Sequence, residues 1–184
     1  MDNAPYDFIM NHEEKDLARF ADFKHRTFQY TDTLYFIDFF KRAYSSFSSL
    51  EDCFLMKESR LSTANLGAFK AYFFEPDYAP RRTRKHVASP LTKSTCKRIN
   101  MFLRWMVRSD KEGVDFGLWN RIQTSDLFIP FDVHVQRSAM SLGLLESDKK
   151  DWKRVVELTD SLKSIDAEDP IKYDFALFGM GAIG

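Results

Sequence analysis

The chain has 184 residues with 27 basic and 27 acidic side chains, so its formal net charge at pH 7 is zero. Its 18 Phe, 7 Tyr and 3 Trp supply enough apolar surface for a sizeable core, which excludes an intrinsically disordered protein. The apolar runs stop short of the ~20 residues of a membrane span, and the N-terminus lacks the basic start and apolar run of a signal peptide. We therefore expect a cytoplasmic protein without membrane contact.

Apolar residues recur at helical spacing along most of the chain, and no series typical of β-strands is found. TDTLYFIDFFKRAYSSF predicts a helix capped by Thr31 or Asp32, and STANLGAFKAYFFE predicts the next. Residues 76–94 contain three prolines and predict a long basic loop. The strongest helix is expected over residues 95–108, with Ser94 or Thr95 as its N-cap.

Beyond residue 108, VDFGLWNRI predicts a short helix, and residues 133–142 predict another that Gly143 ends. SDKKDWKRVVELTDSLKSI gives a further helix, and the last begins with Asp169 as N-cap and Pro170 at the first helical position. The expected architecture is one all-α domain, in which two lobes could share the core. Its parts are N-terminal helices in 1–75, the basic loop 76–94, a central core in 95–145 and C-terminal helices in 146–184.

The neutral chain is strongly polarised, because the 28 residues from 81 to 108 hold nine cations and no Asp or Glu. Such a segment predicts binding to a polyanion such as a nucleic-acid backbone, and the alternative is a solvated basic loop. With no acidic partner nearby in sequence, its cations and two hydroxyls are expected to face DNA. The expected DNA-contacting residues are Arg81, Arg82, Arg84, Lys85, Lys93, Ser94, Thr95, Arg98, Arg104 and Arg108. Lys24, His25 and Arg26 in FKHRTF form a second, smaller basic group that could touch a nucleic-acid backbone.

Lys97 falls in the first turn of the predicted helix, where peptide dipoles already leave the helix start partly positive. A bound phosphate would turn this unfavourable position into a favourable one. An amine nucleophile also suits the position, provided that its proton is removed, and a solvated surface lysine is the third interpretation. Asp132 follows Pro-Phe and is expected to cap the helix at 133–142 by accepting from the amide of Val135, which keeps its carboxylate ionised.

CKRINMFLRWMVR and LFIPFDVHVQRSAMSLGLL together resemble the catalytic core of the helix-hairpin-helix DNA glycosylases, the superfamily of endonuclease III and the 8-oxoguanine glycosylases. The superfamily's Lys-x-x-Asn/Asp-x-x-Leu pattern is matched by Lys97, Asn100 and Leu103. Its apolar-Pro-x-Asp-x-His pattern is matched by Ile129, Pro130, Asp132 and His134. The resemblance covers roughly residues 89–145 and implies a multi-helix orthogonal bundle.

By this resemblance, Lys97 would be the Schiff-base nucleophile and Asp132 the carboxylate that assists it. The substrate would be double-stranded DNA with a damaged base, and no cofactor, metal or protein partner is implied. His134 is a weaker candidate, because a histidine there is more often a packing or hydrogen-bonding residue. The alternatives are a non-catalytic nucleic-acid-binding helical module and a helical interaction protein whose basic segment docks an acidic partner.

Four blocks spread over the chain also resemble an uncharacterised bacterial family of unknown function: FKHRTF, KRINMFLRWMVR, GVDFGLW and DPIKYDFALFG. Members of that family continue further at the N-terminus, so the resemblance implies a chain that begins late and lacks a helix or two. Cys53 and Cys96 are 43 positions apart and suit neither a disulfide framework nor a metal site, so we expect two reduced thiols.

Overall fold

The computed structural model describes Met1 and residues 3–183, and over these residues the chain forms seven α-helices, several 3-10 turns and one short hairpin. The α-helices are α1 (Pro5–Asn11), α2 (Tyr30–Ser46), α3 (Thr63–Phe73), α4 (Lys97–Val107), α5 (Val133–Ser141), α6 (Trp152–Ile165) and α7 (Asp174–Ile183). The hairpin pairs β1 (Lys24–His25) antiparallel with β2 (Phe28–Gln29). The all-α prediction is confirmed, and the hairpin was not expected from the sequence.

The N-terminal half is built on aromatic packing between α2 and α3. Phe39 of α2 meets Phe73 of α3 with ring centroids 4.2 Å apart, and Phe69 of α3 stacks on Phe54 at 4.0 Å. The predicted cap of α2 was wrong by two or three positions: Gln29 is the N-cap, and Asp32 lies in the first turn, where its carboxylate accepts from the Gln29 amide at 2.9 Å.

Helix α4 lies between the two halves of the chain and is buried on more than one face. Ile99, Leu103 and Val107 join the apolar core as their helical spacing predicts, but Asn100 and Arg104 are also buried. The predicted caps Ser94 and Thr95 were wrong. Cys96 is the N-cap, in the left-handed region at φ 52°, and the Ser94 hydroxyl accepts from its amide instead.

The predicted short helix in VDFGLWNRI does not form. Asp110 accepts hydrogen bonds from the amides of Glu112, Val114 and Asp115, which turns the chain sharply, and Gly117 adopts φ 59°. The segment then runs back against the end of α4, where the Phe116 amide donates to the carbonyl of Trp105. Local turn chemistry thus overrides the helical spacing of its apolar residues.

The predicted basic loop, residues 76–94, is anchored to the rest of the fold. It contains two 3-10 turns, Arg81–Lys85 and Pro90–Thr92, and Val87 is part of the core. Its main polar anchor is the buried Asp32 of α2, which accepts from the Thr83 hydroxyl at 2.7 Å and pairs with Arg82 at 2.6 Å. Although burial alone would raise the pKa of Asp32, these contacts and the Gln29 amide lower it.

The C-terminal half packs α7 against α5. Asp132 caps α5 as predicted, and Gly143 follows the helix at φ 71°. Asp169 and Pro170 begin a 3-10 turn that leads into α7, so the predicted start of the last helix is one turn early. The buried apolar residues of both halves form one cluster. Within the described residues, no helix has the length and apolar character needed to cross a membrane.

Candidate active site

Lys97 and Asp132 meet although 35 positions separate them in sequence. Lys97 is the first residue of α4 and Asp132 is the N-cap of α5, which follows the buried residues Ile129 and Phe131. The Lys97 Nζ lies 2.6 Å from Asp132 Oδ2, a charge-assisted hydrogen bond. The two helix starts therefore bring an amine and a carboxylate to one place.

Asp132 is held in its ionised form by three donors. Its Oδ2 accepts from Lys97, while its Oδ1 accepts from the amides of His134 at 2.9 Å and Val135 at 3.0 Å. Burial would raise the pKa of this carboxyl, but the hydrogen bonds from Lys97 and the two amides outweigh it and lower the pKa. Asp132 is thus a fixed negative charge rather than a strong proton acceptor.

The pair opens into a cavity of about 220 Å³. The Lys97 side chain is 42% exposed and that of Asp132 is 13% exposed, so the amine can be reached from solvent. Helix α7 forms one wall, with Phe175 and Phe178, and the Lys97 Nζ lies 5.9 Å from the centre of the Phe178 ring. The cavity therefore combines an amine that solvent can reach, a carboxylate and an aromatic wall.

Asp174 is the charged residue of this cavity that the sequence analysis did not identify. It is the first residue of α7, it is buried, and its carboxylate pairs with Arg104. Burial raises the pKa of Asp174, with the Asp132 charge adding to the effect and the cations Arg104 and Lys97 opposing it. The sequence could not indicate that Asp174 lines a cavity, because an acid at a helix start is also common where it only interacts favourably with the helix dipole.

The comparisons with known proteins identify the family of the chain but suggest no activity for it. Residues 1–183 match the model of a protein family described as "Protein of unknown function (DUF2400)". The chain belongs to this family. No curated protein and no solved structure matches the chain.

In this DUF2400 chain, the prediction that Arg104 and Arg108 face DNA is wrong. Arg104 is 1% exposed, and its guanidinium lies between Asp115 and Asp174. Arg108 pairs with Asp115 and, at 2.8 Å, with Asp169. These acids lie outside the basic segment in sequence but fold onto it, so both arginines hold α4 to its neighbours.

The other predicted cations fall into two groups. Arg82 is half-buried against Asp32, whereas Arg81, Arg84, Lys85, Lys93 and Arg98 are exposed. Of these, Arg84 lies over the Phe74 ring at 5.0 Å. Ser94 and Thr95 are partly buried beside the start of α4.

His134 and the FKHRTF residues take positions that the sequence did not specify. The His134 Nδ1 lies 3.0 Å from the Gly181 carbonyl oxygen, and its ring packs against Phe178, so it tethers α7. Lys24, His25 and Arg26 are exposed on the hairpin, and Arg26 occupies its turn at φ 54°. His25 and Arg26 share a cavity with His86 and Arg98, so the two basic regions of the sequence meet in space.

Proposed function

We propose that this DUF2400 protein is a DNA base-excision glycosylase of the helix-hairpin-helix type, with lyase activity through a Schiff base on Lys97. The observation that carries the proposal is the 2.6 Å contact between the Lys97 amine and Asp132 on a cavity that solvent can enter. The resemblance in sequence assigned these two residues to one site, and their juxtaposition is what such chemistry requires.

The residues support a specific division of labour. The deprotonated Lys97 amine would attack C1′ of an extruded nucleotide, forming a C–N bond as the glycosidic bond breaks and the base leaves with the bonding electrons and takes up a proton. Sugar ring opening then gives an imine on Lys97. Asp132, whose pKa is lowered, suits stabilising positive charge on the sugar better than removing a proton.

The surroundings of Lys97 fit contact with a DNA backbone. Lys93 and Arg98 flank it in sequence and are exposed, and Lys93 adopts left-handed backbone at φ 59°. The glycosylase superfamily places glycines just before its lysine to hold a phosphate through backbone amides; this chain has SPLTKST there, without glycine, and Lys93 takes the left-handed backbone that glycine favours. Extrusion of the target nucleotide costs a few kcal/mol, which such contacts would offset.

Borohydride trapping tests the proposal directly. Duplexes with an abasic site, 8-oxoguanine, uracil or an oxidised pyrimidine are incubated with the protein and reduced, and a covalent adduct is measured by its gel shift. We expect an adduct that Lys97→Gln abolishes and that Asp132→Asn reduces by roughly 10²-fold or more. Lys153→Gln, which removes an exposed lysine in the first turn of α6 and away from the Lys97 cavity, is the matched control and should still form the adduct.

A non-catalytic nucleic-acid-binding module is the second candidate, favoured by the closed ion pair between Lys97 and Asp132. It predicts salt-dependent DNA binding without a lesion and only a modest loss in Lys97→Gln. If no lesion gives an adduct while undamaged DNA binds with a steep salt dependence, this second candidate replaces the first.

A further inference from the structure

Two adjoining cavities lie between the hairpin, α2, α3 and α4, and both are distinct from the cavity of Lys97 and Asp132. The inner cavity, of about 160 Å³, is lined mainly by aromatic and aliphatic side chains, including Phe39, Phe73 and Ile99. The outer cavity, of about 380 Å³, lies between the hairpin and the start of α4. Because His86 and Arg98 line both cavities, a mainly apolar cavity adjoins one lined by cations.

The inner cavity suits a hydrocarbon ring. A volume of about 160 Å³ is comparable with that of an enclosed apolar cavity that holds benzene. A nucleobase would fit less well, because most of its hydrogen-bonding groups would face phenylalanine rings without partners. The polar side chains at this cavity are those of His86 and Arg98, both at its border with the outer one.

The outer cavity suits an anion. Arg26 and Arg98 line it, none of its lining residues is an acid, and within the described residues neither arginine pairs with a carboxylate. Arg98 lies in the first turn of α4, where the helix dipole adds to the attraction of negative charge. His86 does not add a full charge, because burial lowers its pKa.

We propose that these cavities form a binding site for a small arylalkyl carboxylate, with its ring in the inner cavity and its carboxylate between Arg98 and Arg26. Arginine is suited to this role because its planar guanidinium can donate two hydrogen bonds to one carboxylate. The proposal does not rest on the proposed glycosylase activity, since Lys97 and Asp132 line a different cavity, although Arg98 is also one of the expected DNA-contacting residues.

Calorimetric titration with 3-phenylpropionate tests the site. We expect a Kd on the order of 1 mM or tighter, with 3-phenylpropan-1-ol and propionate, which lack the charge or the ring, binding at least about tenfold more weakly. Arg98→Gln should weaken phenylpropionate binding by roughly 10- to 100-fold, and Arg81→Gln, an exposed arginine that lines neither cavity, should leave it unchanged.

Methyl NMR locates the ligand. The ring should shift the methyl signals of Val87 and Ile99, which line the inner cavity, and leave that of the exposed Ile183 unchanged. No saturable binding, equal binding of the alcohol, or shifts confined to Val135 at the Lys97 cavity would overturn the proposal. Displacement of the ligand by a short oligonucleotide that leaves the Val87 and Ile99 methyls unshifted would assign the outer cavity to phosphate recognition and also overturn it.

Discussion

Gly181 is the residue through which α7 approaches α5, and alanine in its place tests how closely these helices pack. A Cβ at position 181 would lie 2.1 Å from the carbonyl oxygen of His134 and 2.7 Å from its carbonyl carbon. Non-bonded atoms of this kind prefer roughly 3.5 Å or more, so α7 would have to move by more than about 1 Å. The obstacle is helix backbone, which cannot turn aside as a flexible side chain would.

We expect Gly181→Ala to lower the free energy of unfolding by roughly 1–3 kcal/mol. Gly179→Ala is the matched control, because its Cβ would meet nothing within 4 Å and alanine favours the helix by up to ~1 kcal/mol. Urea unfolding at pH 7, followed by tryptophan fluorescence, measures both variants. If Gly181→Ala is as stable as Gly179→Ala, the reasoning on this contact is refuted.

Three further predictions concern buried charges and thiols. Arg104→Met should cost about 3–5 kcal/mol in urea unfolding, because it leaves the buried Asp174 carboxylate without its ion-pair partner and leaves Asp115 with Arg108 alone; the deficit should shrink as the pH falls, since burial raises the pKa of Asp174, Arg104 no longer opposes this effect, and protonation then favours the folded variant. Asp132→Asn should keep the helix cap but lose roughly 1 kcal/mol at pH 7; because the pKa of Asp132 is lowered in the folded state, this deficit should vanish as the pH falls through that pKa. Burial raises the pKa of Cys53 to about 12 and of Cys96 to about 11, so both thiols should resist Ellman's reagent at pH 8 until urea unfolds the chain; rapid labelling of the native protein would contradict their burial.

The parts of the fold that could be predicted from sequence are those that depend on neighbouring residues. The cap of α5 by Asp132 needs only a carboxylate followed by free amides, and it is confirmed. Asp110 shows the limit of the same method, because its turn removes a helix that apolar spacing predicts. Both outcomes are local, and a closer reading of turn chemistry could have found the second.

The roles of the arginines could not be predicted from neighbouring residues. Arg104 has no acid within the basic segment, but its two partners lie 11 and 70 positions away along the chain. The charge pattern along the sequence therefore identified a polarised chain without showing which cations its own acids neutralise. Arg98, only one residue from Lys97, has no such partner among the described residues, and spacing alone could not separate it from Arg104.

Three helix starts meet at the candidate site, and their dipoles set the electrostatic field that its charged side chains experience. Lys97 begins α4, Asp132 caps α5 and Asp174 begins α7, and all three side chains line one cavity. The partial positive charges of the three helix ends favour negative groups there, which suits the two carboxylates and opposes a cation. Among the described residues that line this cavity, Lys97 is thus the one cation in a field that prefers anions, with Asp132 as its compensating contact. A departing base that carries negative charge, or a backbone phosphate, would meet the same field with the favourable sign.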